Sequence, residues 1–182
     1  MTNIYAFPKN DRNEGRTEKM TNNNLYIYFD CREVNGITCG AAIYQREGSA
    51  VDLHKKFVSF DKVQGENNFH HSFKALIVGL QAYLEIANRY PNHNITLMNQ
   101  NKQIFTWLEE GVNNPAYAEL LDEVDELLAR MDLSKLRSKV IEGKANRAKK
   151  LLMAIKEKAG DRPMNLSRIQ ERQTSVRRLK MG

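Results

Sequence analysis

The chain begins polar and turns apolar only at Leu25. Residues 1–23 carry Pro8, Gly15 and the start of an asparagine run at 22–24. They predict a flexible arm with one apolar segment, Ile4 to Phe7. "LYIYFD" (25–30) is apolar at odd and even positions alike, the mark of a central strand buried on both sides. Asn35-Gly36 signals a turn, read here as part of a loop longer than a two-residue hairpin. "CGAAIYQ" (39–45) and "DLHKKFVSF" (52–60) read as two further strands, and short links predict an antiparallel meander. The period then becomes helical. Phe69, Phe73, Leu76, Ile77, Leu80, Leu84 and Ala87 fall on one buried face, stopping before Pro91. "ITLM" (95–98) is a short buried strand reached by a helical crossover, hence parallel to the first. "KQIFTWLEE" (102–110) predicts a short helix ending at Gly111. Tyr117, Leu120, Leu121, Val124, Leu127, Leu128 and Met131 form a second amphipathic stripe, with a solvated outer face of Glu119, Asp122, Glu123, Asp125 and Glu126. "SKVIEG" (138–143) reads as the last strand, and Ala148, Leu151, Leu152 and Ile155 as the inner face of a closing lysine-rich helix.

The predicted order is therefore β-β-β-α-β-α-α-β-α, an α/β domain with a five-stranded mixed sheet covered by helices. The expected division is an arm (1–23), a domain (24–159) and a basic tail (160–182). In the tail, Leu166, Ile169, Val176 and Leu179 would align only if it became helical on binding.

Composition narrows the class. The 182 residues suffice for one domain with a core, and 41% hydrophobic with 27% charged residues is the balance of a soluble protein. There is no apolar run long enough to span a membrane and no signal-peptide pattern. Cys31 and Cys39 lack metal-ligand spacing, so a reducing cytoplasm is expected. The net charge of +6 is uneven: residues 139–182 hold 13 Lys/Arg against 4 Asp/Glu. Such an end suits phosphate or an acidic protein.

The element order and four motifs resemble the type 1 ribonuclease H family over roughly residues 24–158. "YIYFDCRE…GITCGAAIY" is similar to the family's first hairpin, in which an aspartate ends the first strand. "ENNFHHSFKALIVGLQAYLEIA" resembles its first helix, "NITLMNQNKQIFTWLEEG" its fourth strand and the helix after it, and "EGKANRAKKLLMAI" its last strand-to-helix passage. The resemblance implies a fold that cuts the RNA strand of an RNA–DNA hybrid with two divalent ions about 4 Å apart, held by four carboxylates. Carried over position by position, those carboxylates fall on Asp30, Ser72, Gln100 and Lys149. One acid remains, and no slip of one residue restores another.

The resemblance thus implies a degenerate member without a catalytic site, metal or cofactor. Asp30 reads either as a lone metal ligand or, preferably, as the ion-pair partner of Lys149, a cation that repels Mg²⁺. The family also contacts phosphates and 2′-hydroxyls with polar groups near Asn67, Asn68 and Asn146. Lys144, Arg147, Lys149 and Lys150 are expected on the same edge. His70 and His71 read as capping or surface residues. His54 and His93 have no partner suggested by spacing, Cys31 is expected buried, and Trp107 is expected in the core. The favoured reading is a catalytically inactive binder of RNA or RNA–DNA hybrid, acting as an accessory or regulatory factor. The alternative is a protein-interaction scaffold that docks through the arm or the tail, and a nuclease with rearranged ligands is the third. None of them involves a membrane.

Overall fold

The computed structural model describes residues 23–160, so the expected arm and tail lie outside the described residues apart from Asn23 and Gly160. The elements are β1 (Asn24–Val34), β2 (Ile37–Arg46), β3 (Asp52–Phe60), α1 (Asn68–Arg89), β4 (Asn94–Asn99), α2 (Lys102–Glu110), α3 (Ala118–Ala129), β5 (Leu136–Val140) and α4 (Arg147–Ala159), in the order expected. The sheet runs β3-β2-β1-β4-β5. β1 is antiparallel to β2 and parallel to β4, and β4 is parallel to β5. The central position of β1 explains why it is apolar on both faces.

Two boundaries differ from expectation. Val34 pairs with Ile37, so Asn35-Gly36 is itself a two-residue hairpin turn. Both residues have positive φ, 50° and 81°, the conformation for which Asn-Gly is favoured. The last strand begins at Leu136, two residues early, because Leu136 is buried and pairs with Ile95.

The sheet is covered unequally. Leu25, Ile27, Phe29 and Cys31 of β1 join Ala42, Tyr44, Leu97 and Leu136 in a core that takes in α1, α2 and α3. On the opposite face, Val34, Cys39, Ala41, Ile43 and Phe57 pack against Ala148 and Leu152 of α4. α1 lies so close to the sheet that a Cβ on Gly79 would come within 2.9 Å of the Phe29 ring. The helix starts with a capping box: Asn67 Oδ1 accepts from the N–H groups of Phe69 and His70, and His70 Nδ1 accepts from the Asn67 N–H. Phe69, expected inside, is 53% exposed, because the buried run of α1 begins only at Phe73. Its ring leans instead on Trp107 and Tyr117, with centroids 6.1 and 6.3 Å away. Among the described residues no helix is long and apolar enough to cross a membrane.

Candidate functional site

A cleft of about 420 Å³ opens where β1 and β4 end beside the first turns of α1; Asp30, Arg32, Asn68, Ser72, Gln100 and Asn101 are among its lining residues. β1 delivers Asp30, α1 delivers Ser72, and the first residues after β4 deliver Gln100 and Asn101. Lys149 stands close by. A Cβ on Gly143 would fall 2.9 Å from Lys149 Nζ and 3.8 Å from Gln100 Cγ, so the ammonium lies over Gly143 near Gln100. The fold therefore gathers the four positions that the sequence resemblance singles out.

Their chemistry is that of a closed hydrogen-bond network. Gln100 Nε2 donates to Asp30 Oδ1 at 3.4 Å, and Gln100 Oε1 accepts from Asn146 Nδ2 at 2.6 Å. Asn146 Nδ2 also donates to the Phe29 carbonyl at 3.0 Å, which Asn99 Nδ2 reaches at 2.6 Å. Asn101 Nδ2 donates to Ser72 Oγ at 3.0 Å, and that hydroxyl donates to the Asn68 carbonyl at 2.9 Å. Two of these amides are also helix caps: Asn101 Oδ1 accepts from Gln103 N, and Asn146 Oδ1 from Ala148 N and Lys149 N. Buried polar groups need such partners, and here neutral side chains supply them.

Asp30 is not held by Lys149. Its Oδ2 accepts from Arg32 Nε at 2.6 Å. Residues 30 and 32 share a face of β1 by the two-residue period, so the arginine reaches the carboxylate without crossing the cleft. That two-residue period is the signal in the sequence that marks Arg32 as a partner for Asp30.

Other expected contact residues are divided. Asn68 lines the cleft. Asn67 is engaged as the α1 cap and donates to Tyr117 OH at 3.4 Å. Asn146 is fully buried within the network. Arg147 turns away to Asp52, with Nε and Nη2 at 2.8 and 2.6 Å from Oδ1. Lys144 pairs with Glu142 at 2.8 Å on the surface, and Lys150 is exposed. Lys156, which sequence reasoning missed, lines the cleft from α4.

Beside the cleft lies a buried polar cluster that the apolar pattern did not reveal. Lys74 of α1 is buried and pairs with Glu66, which also accepts from Thr38 Oγ1 at 2.9 Å and faces His71 Nε2 at 3.7 Å. Burial works against the Glu66 carboxylate, yet the hydrogen bonds from Lys74 and Thr38 hold it below the usual glutamate value. Burial pushes the Cys31 thiol far up and Cys39 up to about 12, so neither is poised as a nucleophile.

Two hard divalent ions need several free carboxylate oxygens. The cleft's acids are Asp30, taken by Arg32, and Glu33, which Lys62 meets at 3.3 Å. That donor set does not fit such a pair. Among the described residues no three His, Cys, Asp or Glu side chains gather in a way that could hold a metal ion.

No protein-family model and no curated protein sequence matches the chain. Solved structures do. Ribonuclease H1 from the halophilic archaeon Halobacterium salinarum superposes with a TM-score of 0.53 at 16% identity, over 71% of this chain and 93% of that one. The compost-derived LC11 ribonuclease H1, solved in complex with an RNA/DNA hybrid, gives 0.54 at 17% identity over 75% and 97%. The N-terminal ribonuclease H domain of a Mycobacterium tuberculosis protein gives 0.53 at 15% over 75% and 95%. At these identities the likeness is one of fold: the chain has a ribonuclease H-like fold, an α/β fold with a five-stranded mixed sheet.

Proposed function

We propose that this protein binds RNA or an RNA–DNA hybrid without cutting it, as an accessory or regulatory factor of the cytoplasm. One observation carries the reading: where a two-metal site would need several free carboxylates, the cleft has only Asp30, paired with Arg32 and bonded to the amide of Gln100, and Glu33, met by Lys62. A network of this kind is stable without metal. It leaves a polar cleft flanked by Lys149 and Lys156, with Lys144 and Lys150 exposed nearby in sequence. A structure of the same fold, LC11 ribonuclease H1, holds an RNA/DNA hybrid, which supports the class of ligand. Shape, 2′-hydroxyl and phosphate contacts need neither metal nor base readout.

The test is a binding titration of labelled hybrid, duplex RNA and single-stranded RNA in EDTA. Affinity should fall steeply from low to moderate salt and should drop when Lys144, Lys149 and Lys150 are neutralised together. Absence of binding to every probe at low salt removes the reading.

A protein-interaction role is the second reading, favoured by the exposed Phe69 ring on its Trp107–Tyr117 support. Exposed aromatic ledges of this kind recur as anchors of protein partners. Capture of one specific protein, lost in Phe69→Ala while nucleic-acid binding stays absent, is the outcome that selects it.

A further inference from the structure

We infer that Arg32 is a phosphate seat in the cleft and that Asp30 is its positioning residue. The inference rests on the nucleic-acid reading above and names the group that makes contact. Arg32 holds Asp30 through Nε alone. A guanidinium carries five N–H donors in a planar fork, and among the described residues only Nε has an acceptor. With Nε anchored on a 5% exposed carboxylate, the side chain loses most of its rotamer freedom before any ligand arrives. The remaining N–H groups belong to a side chain that lines the cleft and stays 36% exposed, open to an incoming anion.

The surroundings favour a phosphate over other anions. Lys156 brings a second cation into the cleft, and Asn68 supplies an amide from the first turn of α1. The other cleft amides, Gln100 and Asn101, are occupied within the network. A phosphate placed against the fork would form the bidentate, charge-assisted pair for which arginine is suited, with no divalent ion between them. Of the cleft's two acids, Asp30 is neutralised by the same arginine and Glu33 is met by Lys62.

The positioning role gives this assignment a test that net charge alone would answer the other way. Removing the Asp30 carboxylate deletes a negative charge, which by Coulomb attraction should tighten binding of a polyanion. If Asp30 orients Arg32, Asp30→Asn weakens it instead. The experiment titrates a labelled RNA–DNA hybrid with the full chain over a series of salt concentrations in EDTA, and checks each variant's fold by thermal melting. Arg32→Gln should weaken binding about tenfold and reduce the slope of log K against log salt by about 1. Arg32→Lys keeps the charge and loses the fork; it should weaken affinity yet leave the salt slope in place, and it stands in if the glutamine variant misfolds. Wild-type binding with unchanged Arg32 variants, or tighter binding by Asp30→Asn, overturns the assignment while the broader reading survives. No binding by the wild type removes both.

Discussion

Arg32 Nε donates to Asp30 Oδ2 at 2.6 Å, and the partners sit two residues apart on one face of β1. The Asp30 carboxylate is thus held from within its own strand rather than by Lys149 across the site. This makes the pair a local device, formed as soon as β1 is extended, and it frees the Lys149 ammonium to lie over Gly143.

The pair should be asymmetric in stability. Arg32→Gln leaves a buried carboxylate with only Gln100 as partner and should cost about 1–3 kcal/mol. Asp30→Asn leaves an arginine that can reach water and should cost less than half as much. Denaturant unfolding of both variants measures the difference, and equal losses would contradict the arrangement.

Asn146 should behave as a structural residue rather than a contact residue. It caps α4 and donates to Phe29 and Gln100 from a fully buried position. Asn146→Ala removes the cap and strands the Gln100 side-chain oxygen, while the Phe29 carbonyl keeps Asn99 as a donor, a loss of about 2–4 kcal/mol. Salt slopes measured on the folded fraction should equal those of the wild type.

The Glu66–Lys74 pair beneath α1 gives a third test. Lys74→Met leaves Glu66 buried beside Thr38 with its main partner gone, and should destabilise by about 3–5 kcal/mol. Exchanging both, Glu66→Leu with Lys74→Met, should restore most of that loss, because two apolar side chains replace two buried charges. Chemical denaturation of the single and double variants decides the point.

Acid sensitivity follows from the same carboxylate. Glu66 lies below the ordinary glutamate value of 4.5 in the folded protein, so its contribution is fully present above that pH. It is lost as pH falls through the depressed folded value. Glu85, opposed by burial and lowered by Lys56, adds in the same direction. Urea midpoints recorded from pH 6 down to pH 3 should fall less steeply in Glu66→Gln than in the wild type.

Much of this was readable in the sequence, and for identifiable reasons. Strand and helix periods gave the element order, because β1 is buried on both faces and α1 on one. The two-residue hairpin at Asn35-Gly36 is masked in the pattern, since polar Thr38 separates Ile37, where β2 begins, from the apolar run that opens at Cys39. Lys74 was invisible because a charged side chain inside an apolar stripe declares itself only through its partner, Glu66, eight residues back and outside the helix. The gathering of Asp30, Ser72, Gln100 and Lys149 comes through the resemblance; the four lie in separate parts of the chain, and no local period links them. The cation that engages Asp30 was written two residues away.

The most direct test is one titration read in two ways. A labelled RNA–DNA hybrid is mixed with the full chain at low salt, in EDTA and in Mg²⁺, binding is followed by anisotropy, and the same samples are then run on a denaturing gel. Saturable binding of similar affinity in both buffers, with an intact RNA strand in both, is the expected result. Cleavage that requires Mg²⁺ and disappears in Asp30→Asn would contradict it, as would the absence of binding in either buffer.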